Sequence, residues 1–400
     1  MSTKEMAQKM QTKKTAKNTN TKKTVKNTKA SNVIVNGHRS TGRQRTMFGL
    51  RNVSTQKILA LLGAVIVGGL GVYLLVRSQA TTPTADSSTF TATTWNSYYG
   101  NKTNVGTSIK KLGANSDIIG IQEAHKPAQR KNIKKALLCS DCKYQGYVQN
   151  YTYDGSSAAS LPILWNKSKF KLVEKGYVKT SDTKKDIKDT TGNNAKVSAK
   201  YITWVRLRDK ATGRSFYVAN LHTVASVEAG GSPNTKNKTR LTIYKKGMDA
   251  LVKKLKSFKE KDRPIIVLGD FNVNYRYDIV KKNAAFPYAR LSAIGMYSTY
   301  QQKGTVASNP SLGSQGNGSS RLIDYVFTLR HNRMTVNNEY MDGSTYGSDH
   351  RPVSATLTLY ETVPSVKPLT TPAGTTNLPA TEGVVDEQRA IEADAYLGTQ

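Results

Sequence analysis

The chain has 400 residues, with 60 Lys and Arg against 27 Asp and Glu, a formal charge of +33 and two cysteines. That length and apolar content support a substantial core, while two cysteines alone do not supply the four ligands of a structural zinc site. A charge so positive implies polyanionic partners or surfaces, and it bears on binding and steering, not on fold.

Residues 1–57 are rich in Lys, Thr and Asn, with 14 Lys or Arg against the single acid Glu5. They are expected to form a disordered basic cytoplasmic segment. Next, 58-ILALLGAVIVGGLGVYLLV-76 runs without a charge between Lys57 and Arg77, long enough to cross a bilayer as a helix. A buried core helix is the alternative; a segment apolar all round beside a basic leader favours a single membrane span. Because positive flanks stay inside, residues 77 onward are expected to be extracellular, and the run is longer than a signal-peptide core, which favours an uncleaved anchor. Residues 77–90 read as a Ser/Thr/Pro/Ala linker, 91–360 as one domain, and 361–400 as a low-complexity tail. About +23 of the charge falls on the domain and its short flanks.

Within the domain, strand-like runs occur at 91–96, 117–123, 161–166, 201–207, 216–222, 264–272, 322–328 and 353–360. Helical spacing recurs at 104–115 and 239–258, over a Lys-rich outer face. Strands outnumber helices and several are wholly apolar, so sheets covered by helices are expected. Cys139 and Cys142 form a C-x-x-C with no βαβ pattern beside it, and in an oxidising exterior they could close a local disulfide.

The ends of these runs carry polar groups. Asn96 ends the first, Glu123 the second and His222 the fifth. Asp270 and Asn272 end the sixth, Asp324 interrupts the seventh, and Asp349 and His350 precede the last. In 265-IIVLGDFNVNY-275 a Gly-Asp after an apolar run is ordinary turn chemistry. If the backbone stays extended, however, Asp270 and Asn272 face one way and Phe271 packs inward. Any one of these residues has a plain structural explanation, but six strands with the same class of side chain at an end point to a ligand site. Carboxylate and amide oxygens without a nearby thiolate suit a hard cation, Mg²⁺ or Mn²⁺. Two histidines supply a base and an acid, and the set describes metal-assisted hydrolysis of a phosphate ester. No G-x-S-x-G elbow or P-loop is present.

The ordered series TWN, IIGIQE, ANLHT, IVLGDFN, LIDYVF and YGSDHRPV resembles the DNase I-like endonuclease/exonuclease/phosphatase superfamily over nearly the whole domain. The resemblance implies a four-layered α/β sandwich of two packed mixed β-sheets with helices outside and the active site at one edge. It implies Glu123 as principal metal ligand with Asn96 beside it, and Asp349 as a metal-side or phosphate-side carboxylate. It further implies that Asp270 activates water, Asn272 holds the phosphate, His350 is the general base oriented by Asp324, and His222 contacts the phosphate. Neighbours in an extended chain point apart, so Asp349 is badly placed to orient His350 and a remote carboxylate is needed.

The domain's charge, with Tyr275 and Arg276 beside the catalytic edge, makes nucleic acid the expected substrate. A phospholipid phosphodiesterase or phosphatase of the same superfamily is the alternative, and a non-catalytic nucleic-acid receptor is a third reading. No obligate protein partner is inferred.

Overall fold

A computed structural model of the protein describes residues 85–98, 105–148, 158–188, 194–315, 318–331 and 333–361. The expected leader 1–57, span 58–76 and tail beyond Glu361 lie outside the described residues. Among the described residues, no helix is long and apolar enough to cross a membrane.

Two six-stranded mixed sheets form the domain. The first contains β1 (Ser87–Asn96), β2 (Ile118–Gln122), β3 (Tyr144–Tyr147), β4 (Ile163–Asn166), β15 (Met334–Met341) and β16 (Val353–Tyr360), in the order β15-β16-β1-β2-β4-β3. The second contains β5 (Phe170–Ser181), β8 (Lys200–Asp209), β9 (Ser215–His222), β12 (Ile265–Asp270), β13 (Met296–Ser298) and β14 (Asp324–Leu329), in the order β13-β14-β12-β9-β8-β5. Two small hairpins accompany them, β6 (Lys184–Lys188) with β7 (Asn194–Val197), and β10 (Glu228–Ala229) with β11 (Ser232–Pro233). Each large sheet has one parallel pair near its centre, β1 with β2 and β9 with β12.

Side-chain alternation along these strands dictates the layers. In β2, Ile118 joins the core between the sheets, whereas Ile119 and Ile121 join a separate outer cluster. There they meet Ile109 and Leu112 of α1 (Val105–Gly113) and Ile133 and Leu137 of α2 (Pro127–Leu137). In β9, Phe216 stacks on Phe90 of β1 with ring centroids 5.3 Å apart, while the adjacent Tyr217 stacks outward on Phe258 at 3.9 Å. Phe258 belongs to α3 (Lys238–Lys259), which therefore covers the second sheet from outside. The order is helix, sheet, sheet, helix, as the resemblance implies.

The sheets approach closely at Gly120, where an added Cβ would lie 2.9 Å from the Leu268 Cβ. Beside it, a polar seam replaces apolar packing. Gln122 Nε2 donates to Asn220 Oδ1 at 2.6 Å, and Asn220 Nδ2 donates to the carbonyls of Ile121 and Pro162. Satisfied in this way, the buried amides hold the two sheets in register instead of destabilising them.

Three differences from the sequence expectations have physical causes. The first strand begins at Ser87, inside the expected linker, because Ser87–Thr94 pairs with β16 up to Tyr360. The strand β5 alternates buried or half-buried residues with exposed ones along FKLVEKGYVKTS, but its charged outer face masks the pattern. Between β12 and β14 the chain forms three short helices, α4 (Tyr275–Lys281), α5 (Pro287–Ser292) and α6 (Thr299–Gln302), too brief to leave a periodic signature. Cys139 and Cys142 are disulfide-bonded, closing a small loop just after α2.

Candidate active site

The two parallel pairs end at the same edge of the sandwich. On inward-facing positions, β1 ends at Asn96 and β2 leads into Glu123; β9 ends at His222 and β12 at Asp270. Open α/β sheets gather ligand groups at the carboxyl ends of parallel strands, and both sheets do so here. Strand register completes the row: Asp270 is paired with His222 on one side and with Asp324, the first residue of antiparallel β14, on the other. His350 lies three residues before β16 and bridges to Gln315.

All of these side chains are buried, and their contacts are specific. Asn96 Nδ2 donates to Glu123 Oε1 at 3.0 Å and to Asp270 Oδ2 at 3.1 Å, so one amide holds two carboxylates together. Its own Oδ1 accepts the Tyr98 amide at 3.0 Å. In this arrangement Asn96 acts as a clamp on the carboxylates. His222 Nε2 stands 3.8 Å from Glu123 Oε1 and 3.6 Å from Asp270 Oδ2, close enough for attraction but beyond hydrogen-bond length. On the other flank, His350 Nδ1 and Asp324 Oδ2 are 2.7 Å apart. The remote carboxylate thus meets the imidazole, whereas Asp349 Oδ1 is 4.0 Å from His350 Nε2.

The stretch Gly269–Asn272 combines both readings of its sequence. The strand stays extended through Asp270, and Phe271 turns into the core against Tyr325 and Phe327, with centroids 5.2 Å away in each case. Asn272 then takes a left-handed backbone at φ 53°, and its amide donates to Asp270 Oδ1 at 2.8 Å. The extended-chain expectation therefore fails at Asn272, because an Asx turn reverses the chain there. Glu123 is also left-handed, at φ 58°. Glu123 and Asn272 thus turn the backbone through the left-handed region at neighbouring strand ends of the site. Gly269 is required for a different reason: an added Cβ would lie 2.5 Å from the Leu221 carbonyl oxygen.

Burial shapes the electrostatics. Asp270 is pushed up to about 7, first by burial and then by the charge of Asp324. Burial works against the imidazolium of His350, but Asp324, through charge and hydrogen bond, together with Asp349 and Asp270, outweighs it and leaves the group well above its ordinary value. Ligand atoms of Asp270, Asp324 and His350 all lie within 4.8 Å of one another. The 2.7 Å bond makes Asp324 and His350 an acid–base pair. The oxygens facing them from Glu123 and Asp270 are the better cation donors. The buried carboxylates of Glu123 and Asp270, bridged by one amide of Asn96, fit a hard divalent cation.

Two expected substrate contacts are corrected. Tyr275 is buried among Tyr300 and Tyr325, with the Tyr300 ring centroid 5.0 Å away. The Arg276 guanidinium is buried and donates to the carbonyls of Ser320 and Asn309. The Asn274 side chain caps α4 by accepting the Arg276 amide, which turns both residues into the fold. Sequence reading also passed over Asn220 and Ser348. Asn220 lies two residues before His222 on the same strand face, so strand period alone marks it. Ser348 Oγ donates to the Asn96 carbonyl at 2.6 Å and accepts the His350 amide at 3.0 Å, linking the two halves of the site.

The fold and site define an α/β sandwich hydrolase architecture with a carboxylate cluster facing a His–Asp pair. Residues 93–350 match the Endonuclease/Exonuclease/phosphatase family, and the chain belongs to that family. Among solved structures it is similar to an endonuclease/exonuclease/phosphatase from Bacteroides vulgatus, with 20% identity, TM-score 0.47, and coverage of 68% of this chain and 99% of that one. It is also similar to a mannosyl-6-phosphatase of Bacteroides thetaiotaomicron, with 19% identity, TM-score 0.45, and coverage of 67% and 99%. A third is the D. rerio TDP2 complex with single-strand DNA product, with 18% identity, TM-score 0.44, and coverage of 68% and 99%. Comparison with curated proteins finds no match.

Proposed function

We propose that the protein is a divalent-metal-dependent phosphodiesterase acting on nucleic acid, anchored through residues 58–76 with its catalytic domain outside the cell. The observation that carries the hydrolytic reading is the 2.7 Å His350–Asp324 pair directed at the Asn96–Glu123–Asp270 cluster. Family membership supports a phosphoric ester hydrolase. The charge of about +23 on the domain supports a polyanionic substrate.

Glu123 and Asp270 are the residues that would hold Mg²⁺ or Mn²⁺; Asp349 sits at the rim, its side chain 29% exposed. When bound, the cation supplies charge stabilisation for the phosphate. Around it, Asp324 fixes the imidazole through Nδ1 and leaves Nε2 of His350 to take a proton from the attacking water. As the water oxygen bonds to phosphorus, the ester bond on the opposite side breaks, and His222 is placed to protonate the departing oxygen. Asn272 acts through Asp270: its backbone amide donates to Asp270 Oδ1, while its side-chain amide donates to the Thr223 carbonyl at 3.4 Å. Incubating the full chain with plasmid DNA, RNA and phosphatidylcholine vesicles, with Mg²⁺ or EDTA, tests the reading. Metal-dependent nucleic-acid cleavage is expected. Cleavage of phospholipid alone would replace the substrate assignment, and binding without cleavage would favour a receptor.

A further inference from the structure

The strands that deliver the catalytic residues begin at the opposite edge, and that edge holds a second cavity. It measures about 430 Å³ and is lined by Arg208, Arg214, Lys261, Arg263 and Arg333, with Asp262 the only acid on its wall. Asp262 lies 3.2 Å from His331 Nε2. Among the described residues, none of the five cationic side chains forms an ion pair. Arg208 donates through Nε to the Gly213 carbonyl, and Arg214 donates to the Glu361 carbonyl. The Nε atoms of Arg214 and Arg333 are buried without a hydrogen-bond partner. Five like charges converging on a polar hollow repel one another until a multivalent anion enters, and guanidinium forks match phosphate oxygens.

Strand geometry separates this cavity from catalysis. Ser215 lines the cavity and His222 ends the same strand, so seven residue steps put the two sites roughly 20 Å apart. One phosphate cannot occupy both. Apart from Pro264 and Leu359, the wall offers no apolar surface, and it has no aromatic ring on which a base could stack. The ligand is therefore recognised by its phosphates. This edge is also where the chain enters and leaves the domain: Glu361 N donates to the Asp86 carbonyl at 2.8 Å, and Ala85 N donates to the Ala211 carbonyl at 3.3 Å.

We propose that this cavity is a second anion site that binds clustered phosphate groups, at the edge of the domain where Ala85 and Glu361 are tied to it. Its chemistry is that of a phospholipid headgroup or a free oligophosphate. Only the headgroup source rests on the anchored reading given above; the site itself does not. Basic clusters beside a membrane anchor are drawn to anionic lipid, which gives the headgroup a physical reason to be there.

The test uses the full chain in phosphatidylcholine nanodiscs with EDTA, titrated with sodium tripolyphosphate by calorimetry. Binding should weaken tenfold or more in Arg263→Glu and in the double variant Lys261→Gln, Arg263→Gln, while His350→Ala binds as wild type. These side chains are exposed or half-buried, so the fold survives their replacement. Hydrolysis of bis(p-nitrophenyl) phosphate with Mg²⁺ should be unchanged in the cavity variants. If no form hydrolyses it, the catalytic reading fails while the binding result still stands. In equimolar phosphatidylglycerol–phosphatidylcholine discs, loss of tripolyphosphate binding identifies the headgroup as the ligand, and persistence identifies the soluble phosphate. Equal affinity of wild type and both cavity variants overturns the proposal.

Discussion

At the scale of single residues, the His350–Asp324 pair sets the pH behaviour. A general base works only when neutral, and Asp324 favours the imidazolium, so the acid limb of activity should lie above the ordinary histidine value. Asp324→Asn removes the negative charge and offers Nδ1 an amide that can hold the wrong tautomer. It should lower kcat by about 10²–10⁴ and move the acid limb to lower pH, as read from a pH–rate profile. An unmoved limb would mean that another group titrates. Arg276→Ala separates two roles in a similar way: it should lower the melting temperature while leaving KM unchanged at a permissive temperature, because its guanidinium ties two loops and does not face substrate. The main site residues were legible because each sits at the end of an apolar run. Tyr275 and Arg276 were misread because a Tyr/Arg mixture looks alike on a nucleic-acid surface and in a buried aromatic cluster.

At the scale of elements, two buried groups control stability. Asp278 of α4 is pushed up to about 7 by burial, and then by the charge of Glu228. One of its oxygens accepts the Tyr288 amide at 2.8 Å and the other has no partner. Between pH about 4 and about 7 the folded protein binds a proton that the unfolded chain has released. Stability contributed there falls as pH rises through that window and levels off above it. Asp278→Asn should therefore gain about 3 kcal/mol on wild type between pH 5 and pH 8, measured by urea denaturation at both. Gly269→Ala forces a methyl group against the Leu221 carbonyl; it should cost about 2 kcal/mol and reduce activity by displacing Asp270. The long apolar strands and α3 were readable from periodicity, since their faces are chemically distinct. The charged edge strand β5 and the short helices α4, α5 and α6 were not, because exposure on one side or brevity erases the pattern.

At the scale of the whole molecule, the two ends of the sandwich divide the work. Strand polarity sends carboxylates, amides and imidazoles to one edge, and the other gathers five cationic side chains that form no ion pair among the described residues. The motifs made the first edge visible in the sequence, for their order and spacing bring six strand ends together. The second edge was hidden, since Arg208, Arg214, Lys261, Arg263 and Arg333 come from separate connections that only the fold assembles. The domain's charge of about +23 binds a polyanion through counterion release, so affinity for nucleic acid should fall steeply as salt rises from about 50 to about 200 mM. A filter-binding series on His350→Ala in EDTA would show it, and a flat salt dependence would remove nucleic acid as the favoured substrate.

If Glu123 and Asp270 hold a divalent cation beside a His350 base, steady-state hydrolysis of a phosphodiester by the full chain under Mg²⁺, Mn²⁺ and EDTA, alongside Glu123→Gln and His350→Ala, will separate their roles. In wild type EDTA should abolish activity and added metal restore it. Glu123→Gln should need far more metal, and His350→Ala should stay at least about 10²-fold slower at any metal concentration. Full activity in EDTA, or wild-type rates from His350→Ala, would contradict those roles.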